Sequence, residues 1–145
     1  MTTYERTAHR NGTSAPATVI VEMDLTNPDH QVRYTVTVLL LDIEHAATAY
    51  DAFEALSLVR AALDDEGWLL GVQGARVDVW PSGMARQQGG GMRAYRLRRG
   101  RRPRFKDLVD VFAPADEHLG TVQAQRAFVE AKFPDACPGA GVDRP

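Results

Sequence analysis

The residues able to do chemistry gather in one stretch. Arg86, Arg93, Arg96, Arg98, Arg99, Arg101, Arg102, Arg104 and Lys106 are nine cations between Met84 and Lys106, with no acid among them. All nineteen acids lie elsewhere, beside only eight of the seventeen lysines and arginines. A positive field next to a negative body favours an anionic partner. The guanidinium fork bonds phosphate and carboxylate bidentately, so nucleic acid, a phosphate ligand and an acidic protein surface all fit. The same arginines can instead stand in solvent or pair with the acidic run Asp64-Asp65-Glu66.

Other motifs are incomplete. Gly89-Gly90-Gly91 could cradle a phosphate through backbone N–H groups. It has no following Lys-Ser or Lys-Thr and no G-x-G-x-x-G before a helix, so it reads as a flexible hairpin loop. Gly71-Val72-Gln73-Gly74 has the G-x-x-G form of a KH loop, but sits in a strand pattern rather than between helices. Asp42, Glu44 and His45 could bind a metal, yet His9, His30 and His118 are scattered and no H-E-x-x-H exists. They read as a polar strand end, and no metal site is expected. Ser82 lies in Pro-Ser-Gly, not in a nucleophile elbow. Cys137 sits in a Pro/Gly-rich tail without a rigid partner.

No acid, histidine or thiol lies between Asp78 and Asp107, so this stretch holds no general base. Arginines and aromatics, the types enriched at binding hot spots, crowd it instead. The expected partner-binding residues are Trp80, Ser82, Gly89, Gly90, Gly91, Arg93, Tyr95, Arg96 and Arg98. Trp80 and Tyr95 come together at the loop's mouth if their strands pair. No catalytic residue and no cofactor is assigned.

These residues need a scaffold. Thr18 to Asp24 and Gln31 to Asp42 alternate as strands joined by the turn Thr26-Asn27-Pro28-Asp29. Thr48 is the expected cap of a helix whose stripe is Ala49, Ala52, Phe53, Leu56, Val59 and Leu63, ended by Gly67. Trp68 to Val72 and Arg76 to Trp80 read as strand, interrupted by Gly71 and Gly74, where a bulge or close backbone approach is expected. Met84 to Gly91 reads as a flexible loop, Met92 to Arg99 and Leu108 to Phe112 as strands. Thr121 caps a last helix that Pro134 stops. The order β-β-α-β-β-β-α predicts an α+β fold, with a mostly antiparallel sheet of about five strands and two helices on one face.

The 145 residues suit one domain. Residues 1–16 lack periodicity and read as a disordered arm, 17–133 as the domain, and 134–145 as a disordered tail. One cysteine permits no internal disulfide, and neither a signal peptide nor a membrane-length apolar run is visible. A cytoplasmic protein is expected. The arginine bias, with Lys106 and Lys132 the only lysines, points to a high-GC bacterial source.

The run Gly67-Trp68-Leu69-Leu70, Gly74-Ala75-Arg76-Val77-Asp78-Val79-Trp80-Pro81-Ser82-Gly83-Met84, then Gly89-Gly90-Gly91 and Ala94-Tyr95-Arg96-Leu97, resembles small bacterial proteins assigned as immunity proteins in polymorphic toxin systems. The resemblance spans 46–133 and contains no catalytic motif. It implies a compact α+β protein that binds and blocks a cognate toxin. Nuclease-blocking immunity proteins are commonly acidic, so the basic stretch here departs from that subset. The expected function is non-enzymatic protein binding of this type. A nucleic-acid or phosphate-ligand binder acting through Arg93 to Arg104 is the alternative, and a small enzyme with an unrecognised site the third.

Overall fold

The computed structural model describes residues 1–134. The expected tail, from residue 135 onward, lies outside the described residues. The chain is α+β, with five antiparallel strands in one sheet, three short strands in a second, and three α-helices.

The first hairpin corrects the expectation of a disordered arm. Strand β1 (Thr2–Arg10) pairs with β2 (Thr13–Asp24) from Thr2↔Val21 to Arg10↔Thr13. Asn11 and Gly12 turn the chain at φ 50° and 79°, the positive pair that a two-residue type I′ loop requires and Asn-Gly supplies. Composition hid the strand because only part of β1 is buried. Ala8 is fully buried, and Tyr4 stacks on Phe112 at 5.5 Å. Arg6 lays its guanidinium over Tyr4 and donates from Nε to the Phe112 carbonyl at 2.9 Å. Pro16 is tolerated because it lies just beyond the last partner of β2 on β3, Ala17↔Leu40, where that flank needs no donor.

Strand β3 (Arg33–Leu40) follows, then β4 (Ile43–Ala49), which the sequence reading did not separate. The connection is Leu41-Asp42, with Leu41 at φ 55°. A bulky residue there is an uncommon choice and gives no turn signal. Strand β5 (Leu69–Leu70) joins β1 on the far side, so the sheet order is β4-β3-β2-β1-β5.

Helix α1 (Ala52–Asp64) covers this sheet, burying Phe53, Leu56, Val59 and Leu63 against β3 residues Val36, Val38 and Leu40. Each such side chain contributes about 1.5–3 kcal/mol of burial. Its cap is Asp51, whose Oδ1 accepts the Glu54 N–H at 2.8 Å. Thr48, the expected cap, and Ala49, the first residue of the expected stripe, are inside β4. Gly67, at φ 83°, ends the turn as expected.

Beyond α1 the two expected long strands shrink to β5 and β6 (Val79–Trp80), separated by a 3₁₀ turn at Gln73–Ala75. Gly74 passes so close to its neighbours that a Cβ would lie 2.7 Å from Val111 Cγ1 and 2.8 Å from Leu56 Cδ2. The expected close approach is there, and it comes from packing rather than a strand bulge. Strand β7 (Arg93–Arg96) pairs with β6 and with β8 (Leu108–Asp110). Helix α3 (Val122–Lys132) is capped by Thr121, whose Oγ1 accepts the Ala124 N–H at 3.0 Å.

Candidate anion-binding face

Strand β6 places Trp80 directly opposite Tyr95 of β7, so the two aromatics do meet. Trp80 is only 8% exposed, because its ring packs edge-on against Phe53 at 5.4 Å. The guanidiniums of Arg86 and Arg126 lie 5.7 and 5.3 Å from its centre. Trp80 is therefore a floor, and the half-buried Tyr95 is the more accessible ring.

The segment expected to be a flexible loop is helix α2 (Gly83–Gly89). Ser82 caps it, accepting the Ala85 N–H at 3.0 Å, which commits that hydroxyl to the backbone. Gly90 and Gly91, at φ 64° and 71°, close the helix and turn inward. The Gly90 carbonyl accepts the Ala52 N–H at 2.7 Å. A Cβ on Gly91 would sit 2.6 Å from Asp51 Oδ1, and one on Gly90 would overlap the Tyr34 hydroxyl. These two glycines join α2 to the start of α1. Gly89 is exposed, with nothing near its Cβ position. The sequence missed α2 because Ser82 was read only as part of a turn, and the glycine run masked the cap at the other end.

The arginines divide into two sets. Arg86 reaches Asp51 at 3.3 Å, Arg96 reaches Asp78 at 3.8 Å, and Arg98 and Arg101 both reach Asp107 Oδ1, at 3.2 and 2.9 Å. Arg93, Arg99, Arg102, Arg104 and Lys106 make no ion pair among the described residues, and all five are exposed. The acidic run at the end of α1 takes none of these cations. Glu66 instead bonds His45 at 2.9 Å, and Asp64 accepts the Val122 N–H at 2.8 Å.

Two carboxyls organise the second sheet. Asp107 is 4% exposed and held below its ordinary value, first by the Arg104 N–H and then, against burial, by Arg98 and Arg101. Burial alone would raise Asp78. The Arg76 fork, bonded at 2.8 and 2.7 Å, and the nearby Arg96 charge hold it low instead.

The principal concavity is a groove of about 680 Å³ between β6, β7, residues 101–103 and the end of α3. Trp80, Tyr95, Leu97 and Phe133 supply apolar walls, and Arg101, Arg102 and Lys132 supply charge. No acid or histidine lines it among the described residues. Of the expected binding residues, it gathers Trp80, Ser82 and Tyr95. Gly89, Gly90, Gly91, Arg93, Arg96 and Arg98 lie outside its lining. Lys132 and Phe133 were missed, since nothing in a helix-end sequence says which loop it will face. A groove of this kind can hold an apolar body and its anionic group.

Among the described residues, no group of three or more His, Cys, Asp or Glu side chains could hold a metal. Glu44 and His45 are successive on β4 and so face opposite ways. No described helix is long and apolar enough to cross a membrane. No family model matches the sequence, and a search of curated proteins finds no match to it.

Proposed function

We propose that this chain is a non-catalytic protein-binding domain of the immunity type, taking an acidic segment of a cognate toxin into the Trp80–Tyr95 groove. The observation that carries the reading is the groove itself. Its apolar walls are rimmed by Arg101, Arg102 and Lys132, with no acid among the described residues of its lining. Aromatic walls beside arginines suit a desolvated anchor with charge complementarity around it. Among the described residues, the hydroxyl groups on its lining are those of Ser82, spent as a helix cap, and Tyr95.

The test is co-purification with a toxin domain encoded in the same gene neighbourhood. Wild type should retain it. A Tyr95→Ala, Arg102→Ala, Lys132→Ala variant, shown to melt cooperatively, should bind at least about tenfold more weakly, as the loss of hot-spot contacts requires. Equal retention by the folded variant rejects the groove as the docking face. A neighbourhood without any toxin gene removes the immunity reading.

A further inference from the structure

A second concavity, of about 470 Å³, is lined by Arg98, Arg101, Arg104, Lys106 and Asp107. We propose that it is an oxyanion site for the phosphoryl group of a small aromatic phosphate ester of the nucleotide class. The proposal is independent of the docking reading. The two concavities share only Arg101.

Four cations line a cavity with one carboxylate here, and that carboxylate already accepts three hydrogen bonds. Asp107 Oδ1 receives Arg98 Nε and Arg101 Nη2, at 3.2 and 2.9 Å, while Oδ2 receives the Arg104 N–H at 2.9 Å. One buried acid thus draws two guanidiniums together and fixes the backbone of a third arginine. That is a preorganised arrangement rather than a loose surface run.

The cations are not used up by it. Arg101 Nη1 is buried and has no hydrogen-bond partner among the described residues, a state that costs stability. Arg104 and Lys106 are exposed and make no ion pair among the described residues. A phosphoryl group offers three acceptor oxygens and two negative charges, which matches converging guanidinium forks better than a single carboxylate does.

A ring for the ester stands next in sequence to two of the lining cations, outside the cavity's own lining. Phe105, between Arg104 and Lys106, is 80% exposed. An aromatic side chain left in water beside a cation cluster is the pairing that nucleic-acid binders use, with the ring stacking a base and the cations holding its phosphate.

The test is a titration of the full chain with inorganic phosphate, and separately with adenosine monophosphate, followed by calorimetry and by the arginine Nε–H resonances. Both probes should bind and shift Arg98 and Arg101, the nucleotide more tightly. Phe105→Ala should reduce the nucleotide's affinity to that of phosphate. An Arg101→Gln, Arg104→Gln variant should bind each at least about tenfold more weakly, the loss of a charge-assisted hydrogen bond. An Arg93→Gln, Arg99→Gln variant removes the same charge outside the cavity and should bind as wild type does. Absence of binding overturns the site, and equal weakening in both double variants reduces it to diffuse charge. Preference for a long single strand over the mononucleotide, scaling with length and falling steeply with salt, replaces it with a nucleic-acid surface.

Discussion

Arg60 Nη1 donates to Gln125 Oε1 at 2.8 Å, and neither residue is more than 2% exposed. Arg60 also donates to the carbonyls of Gly74 and Gly120, at 2.9 and 2.8 Å. Gln125 Nε2 shares its two hydrogens among those of Gly74, Arg76 and Val79, at 2.9, 2.7 and 3.0 Å. A buried cation with no carboxylate in contact is costly, and burial pushes Arg60 down to about 10. The pair keeps its place because it satisfies backbone carbonyls that no sheet reaches. It ties α1 and α3 to the 3₁₀ turn and to β6.

Replacing Gln125 with Leu should therefore destabilise the protein by about 3 kcal/mol or more, since several buried acceptors lose their donor at once. Urea unfolding checks this. The midpoint should fall with little change in slope. A midpoint within error of wild type would mean that water replaces the amide at no cost.

The three consecutive glycines should behave differently. Gly90→Ala and Gly91→Ala combine a positive φ with overlap of Tyr34 or Asp51, so each should cost at least about 1–3 kcal/mol. Gly89→Ala adds a methyl to open space in the last turn of α2 and should be neutral, or stabilising by about 0.5–1 kcal/mol. Thermal melts of the three variants measure the contrast. A flexible binding loop would tolerate all three alike.

Deleting residues 1–10 removes β1, which pairs along its whole length with β2 and also holds β5. The expected outcome is loss of the cooperative thermal transition, because the Tyr4–Phe112 stack goes with it and β2 becomes an open edge. A truncated chain that melts near the wild-type temperature would show that β1 is an appendage.

Acid should weaken the second sheet. Asp107 and Asp78 are both depressed below their ordinary 3.8, so their ionised forms add stability above that value. It is lost as pH falls through their folded values. Burial raises Asp64, countered in part by the Val122 N–H and Arg60. Its ionised form therefore costs stability, and acid relieves that cost. Melting temperatures from about pH 5 to about pH 2 should fall, and Asp107→Asn should flatten that fall. An identical profile in the variant would remove Asp107 as a contributor.

The sequence by itself determined the α+β class, the stripe of α1, the Gly67 and Thr121 ends of helices, and the confinement of nine cations to one stretch. These follow from local rules, namely the period of apolar residues, the capping chemistry of single residues, and counting. Asn11-Gly12 also carried a hairpin signal that the polar composition around it concealed. Arg60 sits four residues past Leu56 and seven past Phe53, on the buried face of α1, so its burial was readable as well.

Tertiary structure alone decided which charges are spent and which are free. Arg86 belongs to Asp51, 35 positions earlier, and Lys132 faces a groove whose other walls include residues 80–83, Tyr95, Leu97 and residues 101–103. The same holds for Gly74, whose smallness matters because Val111 and Leu56 close on it. Pairings across such separations depend on how two sheets and three helices pack, and no local pattern in the chain encodes that distance.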